Sequence, residues 1–418
     1  MKTYRLSFDG QVNASLNNQF PYYIFVMKEA VDAAGLQKAV IRALEYHPTF
    51  RTKLIKKRFQ YYLEENEKLP VVKEAAWDEP IDYGQKDTHE YPWIITCCEN
   101  KIVFTCAHML CDGMGAMHFL KDVLNCYFGF RVDAQDPDKT TEDSFAAHAD
   151  QTAKAPFKRK KQDPPAAIPL SVFETEDAEC ELYRFVFFKD SIKGLSEKTD
   201  TSTFAILSGM AAKALSRTLH MDTGNISILI AADLRRPYGS ITDRGFVLTP
   251  ELVYKTEKLK DKDMFLTATA LRSQLDLFMD KDNLDFELLK ARKNNDLLHI
   301  CPFILGLARK EFYKMLYAPR ANIVYTHLVH TELSPELEEK IGDFYVAGAR
   351  SASPLIVILG SNFGDRISLT FGECTKGNAF TREFAEVLKA EGVDYRMERV
   401  VPHAPLKHRS DRLYKNRK

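Results

Sequence analysis

Apolar residues recur along the chain at two spacings, and the alternation between them predicts a mixed α/β protein. In 101–107, Ile102, Phe104 and Cys106 interleave with Val103, Thr105 and Ala107, the pattern of a strand buried on both faces. From Met114 the period lengthens, and Met117, Leu120, Val123, Leu124 and Tyr127 fall on one side of a helix. Between strand and helix lies a short loop, His108-Met-Leu-Cys-Asp112-Gly113. Asp112 is placed to cap the helix, because a carboxylate there accepts free backbone N–H groups and meets the positive end of the helix dipole.

Elsewhere in the first half the same reading gives strands at 4–8, 22–28, 53–57, 59–63 and 93–99. A helix at 33–46 carries Leu36, Val40 and Leu44 as its apolar stripe, with Asp32 at its start and His47-Pro48 as its stop. Asn100 marks a tight hairpin into the strand that ends at His108. The pattern dissolves over 131–170, rich in Asp, Lys, Ala and Pro, with a basic run at 158–161 and some helix at 142–153. We read this stretch as a crossover linker. Order returns with strands at 181–189, 225–232, 252–256, 321–328, 344–349, 355–360 and 366–371. Helices fall at 191–198, 203–219, across much of 260–299, at 304–316 and at 378–390. The division that results is 1–130, a linker at 131–170, a second half at 171–400, and a basic tail at 401–418 expected to lack fixed structure.

One unit occurs twice. The strand Ile367-Ser-Leu-Thr-Phe, followed by Gly372-Glu373, a Gly-containing loop and a helix, parallels the strand, loop and helix around His108, with Glu373 in the histidine's place. The chain therefore reads as two related halves, of which only the first keeps the histidine.

Composition narrows the function classes. The 418 residues carry 58 Lys and Arg against 58 Asp and Glu, so no global field favours nucleic acid or a polyanion. No apolar run is long enough to cross a bilayer, and the first residues lack the apolar core of a secretory signal. The eight cysteines form no C-x-x-C pair and are expected as buried reduced thiols of a cytoplasmic protein. No G-x-G-x-x-G or phosphate-loop string occurs. Gly360-Ser-Asn-Phe-Gly364 has its serine in the wrong position for a nucleophile elbow. Cys106, His108 and Cys111 lack a fourth ligand at zinc spacing, so no metal is expected. His118, His327 and His330 are read as packing or structural residues.

His108 is the residue with the clearest chemical potential: a neutral imidazole, held rigidly at a strand end, takes up a proton near neutral pH. The string from His108 to Gly113 resembles the H-x-x-x-D-G motif of the CoA-dependent acyltransferase superfamily, which includes chloramphenicol acetyltransferase, condensation domains and alcohol acetyltransferases. His47-Pro-Thr-Phe-Arg51-Thr52 resembles the H-x-x-L-R-T segment of condensation domains, and 228–237 resembles the strand and Arg-containing turn that opens the second half of alcohol acetyltransferase-like members.

The resemblance implies two chloramphenicol acetyltransferase-like α/β subdomains forming a V-shaped pseudo-dimer around a tunnel. It implies His108 as general base, acyl-CoA or acyl-pantetheine as co-substrate, no bound cofactor, and a small alcohol or amine acceptor. The acyl group, such as acetyl, would pass without an acyl-enzyme. Asp112 and Gly113 would shape the loop, with Arg51 or Arg235 as the arginine that pairs with Asp112. Ser361 or Thr326 would supply an oxyanion hydroxyl. Two departures qualify it: Ala107 stands where condensation domains usually carry a second histidine, and 362–365 lacks the D-F-G-W-G of the plant enzymes. The expected protein is a cytoplasmic monomer. The rival readings are a stand-alone condensation-type enzyme that uses an acyl carrier protein, and a non-catalytic relative that binds a carrier or partner.

Overall fold

The computed structural model describes residues 1–16, 21–58, 60–75, 83–133, 135–149, 172, 182–300, 321–348, 356–373 and 375–400. The 304–316 helix, the 401–418 tail and most of the linker's second part lie outside the described residues.

Two large mixed sheets organise the molecule. The first has five strands in the order Ile341–Ala347, Tyr22–Met27, Lys101–Cys106, Trp93–Cys98, Val72–Glu74. The second has seven, in the order Glu251–Lys255, Asn225–Ile230, Ile323–Leu328, Ile356–Phe363, Arg366–Gly372, Leu182–Phe188, Arg396–Val400. Helices pack on each: Ala33–Ala43 lies against Gly113–Phe128 over the first, while Thr203–Thr218 contacts Ala379–Ala390 and Met264–Met279 over the second.

The two sheets are tied by a strand that sequence division does not separate. Ile341–Ala347 falls within 171–400, yet it pairs antiparallel with Tyr22–Met27 and completes the first sheet. Residues 171–400 therefore contribute to both sheets. The exchanged strand packs on Ile356–Phe363 and Arg366–Gly372 of the second sheet. Thr370 donates its hydroxyl to the Val346 carbonyl at 2.7 Å. Arg184, buried on Leu182–Phe188, forms a fork on Asp343 at 2.6 and 3.1 Å and lies 4.1 Å from the Tyr345 ring centroid. This layering explains the two buried faces of Lys101–Cys106. Ile102, Phe104 and Cys106 enter the large core, while Val103 packs with Ile24, Leu182, Tyr345, Ala347 and Val400.

The repeated unit is visible in both sheets. The hairpin Trp93–Cys98 and Lys101–Cys106 leads through the His108 loop into Gly113–Phe128, and the hairpin Ile356–Phe363 and Arg366–Gly372 leads through Glu373 into Ala379–Ala390. Buried Glu373 accepts from the Thr381 N–H at 2.8 Å and from the hydroxyls of Thr375 and Thr381, so the carboxylate serves the start of its helix.

Several elements escape the sequence reading, among them the edge strand Val72–Glu74 and two near the chain ends. Residues 4–8 were expected as a strand; the strand is Thr3–Arg5 and a helix follows at Phe8–Leu16. Its Gly10, Asn13 and Ser15 are weak helix formers, so burial of Val12 and Ala14 must supply what propensity does not. Arg396–Val400 is a mostly exposed edge strand with no apolar alternation, and only its partner Leu182–Phe188 defines it.

Candidate active site

Strand Lys101–Cys106 ends against Pro92, whose carbonyl accepts from Ala107 N–H at 2.7 Å, and the Leu110 N–H then turns back to the Ala107 carbonyl at 3.0 Å. This tight turn holds His108 at the strand's end, with part of its surface left open. Burial holds its pKa below the ordinary histidine value, against the opposing pull of local backbone hydrogen bonding and of the Asp112 and Asp9 carboxylates. The neutral form of the imidazole is therefore favoured. Asp112 follows in extended conformation and caps Gly113–Phe128 by accepting from Gly115 N–H at 2.9 Å. At the other end of that helix Gly129 adopts φ 73°, the left-handed cap that a side chain would strain.

Asp112 is held from the second half. Arg235 forks onto it, Nη1 to Oδ2 at 2.9 Å and Nη2 to Oδ1 at 2.7 Å, and the Phe246 N–H adds 2.7 Å to Oδ2. Arg235 is fixed in turn by Asp233 at 2.6 Å and by the carbonyls of Thr242 and Arg244 at 2.8 and 2.9 Å. Burial disfavours its charge, but the carboxylates of Asp112 and Asp233 outweigh that and raise its pKa. Of the two arginines singled out from sequence, Arg235 makes the pair. Arg51 is exposed at the end of the turn Pro48–Phe50, outside the loop, and the expectation for it is corrected: a motif position in sequence does not bring its side chain to Asp112.

Gly113 sits where the halves meet. A side chain there would come within 3.2 Å of Leu328 on the second sheet and 3.4 Å of the Tyr23 hydroxyl, which donates to the Gly113 carbonyl at 3.3 Å. Leu328 is registered beside Ser361, and Thr326 lies one step back on the same face. Ser361 is buried, and its hydroxyl makes no hydrogen bond among the described residues. On the opposite face His327 accepts from or donates to Tyr325 at 2.9 Å and Asn362 at 2.9 Å, and burial lowers its pKa to about 4. Its ring occupies the space over Gly360, where a Cβ would approach within 2.7 Å. His327 is thus a satisfied structural residue that ties two strands together beside Ser361.

Sequence reasoning missed a second cluster. His47 is buried with Nε2 2.9 Å from Asp122 and Nδ1 2.9 Å from Asp243. His118, read as packing, instead lies 3.7 Å from Asp243 and 3.5 Å from Glu332. Gly115 was also overlooked, although a Cβ on it would sit 2.0 Å from the Asp243 carbonyl oxygen. The available signals were polar residues on the otherwise apolar stripes of the 113–128 helix, and the second glycine of Gly113-Met-Gly115. Among the described residues no His, Cys, Asp or Glu group is arranged to hold a metal ion, and no helix is long and apolar enough to cross a membrane.

No protein-family model matches the sequence, and no curated protein matches it. Solved structures do match in fold. TRI101 of F. sporotrichioides, complexed with coenzyme A and T-2, superposes with a TM-score of 0.64 at 12% identity, over 96% of this chain and 100% of that one. Polyketide synthase associated protein 5 of Mycobacterium tuberculosis gives 0.62 at 12% identity, over 93% and 98%. The condensation domain of the Monacolin K polyketide synthase MokA gives 0.55 at 13%, over 93% and 97%. The chain therefore has the two-subdomain α/β fold shared by CoA-dependent acyltransferases and condensation domains.

Proposed function

We propose that the chain is an acyltransferase that moves an acyl group, such as acetyl, from a CoA thioester to the hydroxyl or amine of a small acceptor, with His108 as general base. The observation that carries this reading is the placement of a neutral, largely enclosed imidazole at a loop locked from the other half by the Asp112–Arg235 fork. Similarity of fold to structures crystallised with coenzyme A supports it. In the reaction the acceptor's proton passes to His108 as its oxygen or nitrogen attacks the thioester carbonyl. The tetrahedral intermediate then collapses, the C–S bond breaks, and the imidazolium returns the proton to the departing CoA sulfur. No bond forms to the protein. The oxyanion of that intermediate needs a donor, and Ser361 is the better of the two hydroxyls expected from sequence, since it is buried with its hydrogen-bonding capacity unspent and registered beside the Leu328 that abuts Gly113. Both substrates would meet in a tunnel at the seam, and Asp112, Gly113 and Arg235 would act by holding the loop.

The test is release of free thiol from acyl-CoA of several lengths with a panel of alcohols and amines, comparing wild type with His108→Ala. Release that depends on His108 is expected. Equal release from both proteins, or none with any pair, would remove the reading. The condensation-domain likeness favours a second donor, so the same panel is run with an acyl group on a carrier protein's pantetheine arm.

A further inference from the structure

We propose that His47 is an imidazolium at neutral pH that clamps segment 242–246 of the second half onto the motif helix, making it a positioning residue for the Asp112–Arg235 pair. The geometry points to the charge when both neighbouring carboxylates are ionised. Each ring nitrogen faces a carboxylate oxygen at 2.9 Å, Asp122 on one side and Asp243 on the other. A neutral imidazole carries one N–H, so against two ionised carboxylates one of these contacts would set lone pair against lone pair, whereas the cation donates to both. The ring is buried edge-on to Phe50 and Phe119, with centroids at 6.3 and 5.7 Å, where water does not weaken the contacts.

The two carboxylates belong to different parts of the fold. Asp122 lies on Gly113–Phe128 and is steadied by Asn125 at 3.2 Å. Asp243 lies between Thr242 and Arg244, whose carbonyls hold Arg235, and three residues before Phe246, whose N–H holds Asp112. Its own N–H is tied to the Thr140 carbonyl at 2.8 Å, and its carbonyl is packed on Gly115. The remaining groups around the clamp are His118 and Lys121 on the motif helix, Glu332, Arg235, and the Cys111 thiol near Asp243. His118 extends the chain of alternating charge from Asp243 to Glu332. Burial opposes charge on His47, but Asp243 and Asp122 overcome it and raise its pKa to about 9. Asp243 is correspondingly held below the usual carboxylate range, since the histidines outweigh its own burial.

The clamp stands apart from the acyl-transfer reading, so it is tested first on the wild-type fold. Histidine-nitrogen NMR is recorded about 1.5 units above the ordinary histidine pKa of about 6.5. Both His47 nitrogens protonated is the expected result; a single tautomer at that pH overturns the proposal. Denaturant midpoints for wild type and His47→Gln then follow linkage. A raised pKa stabilises fully below the unfolded value, and the benefit is lost as pH rises towards about 9. Wild type should lose midpoint across that window relative to the variant, and parallel curves count against the clamp. Where wild type shows His108-dependent CoA release, His47→Gln should lower kcat on the order of 10²-fold with KM for acyl-CoA little changed. A folded variant with full kcat overturns the positioning role. An inactive wild type speaks against acyl transfer and leaves the NMR and linkage results to decide on the clamp.

Discussion

Arg235 reaches across 123 residues of sequence to close a two-pronged grip on Asp112, so the loop that presents His108 is finished only when the second half docks. Cutting one prong set leaves a buried charge without its partner, which costs about 3–5 kcal/mol. Arg235→Ala should therefore lower the unfolding free energy by about that amount. Arg235→Lys should recover only part of it, because an ammonium cannot match the planar fork. Urea titrations of the two variants against wild type measure the difference.

His108 should remain an active base in mildly acidic solution. Its pKa is depressed by burial, so the neutral form persists below the ordinary value of about 6.5. The acid limb of kcat/KM for acyl transfer is expected below that pH, and His108→Ala should reduce kcat/KM by about 10²- to 10⁴-fold. A limb at or above the ordinary value would show the ring to be more solvated than its enclosure indicates.

Gly115→Ala should be among the most damaging small substitutions in the chain. The added carbon would lie 2.0 Å from a backbone oxygen, which has no flexible side chain to swing aside. Either the Asp243 segment or the helix start must move, at about 1–3 kcal/mol or more. Gly194→Ala meets no neighbouring atom in its helix and should stabilise slightly or do nothing. Thermal unfolding of the pair checks the contrast.

His327 predicts an acid-sensitive second sheet. The folded ring keeps its neutral form down to about pH 4, whereas an unfolded histidine charges near 6.5. Its stabilisation is complete above the unfolded value and declines as pH falls through that window. His327→Gln should flatten the decline, measured as denaturant midpoint against pH.

Much of this arrangement could be read from residue order. The 101–128 unit follows from periodicity and an N-cap carboxylate, both local properties, and the strand, the loop and the helix lie within a residue or so of expectation. The choice between Arg51 and Arg235 was not local. Both are arginines in turns, and only the docking of segment 242–246 decides which reaches Asp112. The His47 cluster was illegible for the same reason: Asp122 and Asp243 are 121 positions apart and meet only through the fold. The Phe8–Leu16 helix was missed because its sequence is a poor helix on its own, and tertiary burial overrides propensity there.

The exchanged strand Ile341–Ala347 has a consequence for how the chain can be divided. A fragment ending at the linker would leave Tyr22–Met27 with a raw edge of unpaired N–H and carbonyl groups, a template for self-association. The complementary fragment would carry a loose apolar strand, with Phe344 and Val346 stripped of their pocket. Expressed apart, the two pieces should aggregate; expressed together, each should rescue the other's solubility. The link between the halves is a shared β-ladder as well as a peptide tether, so they behave as one folding unit despite reading as a duplication.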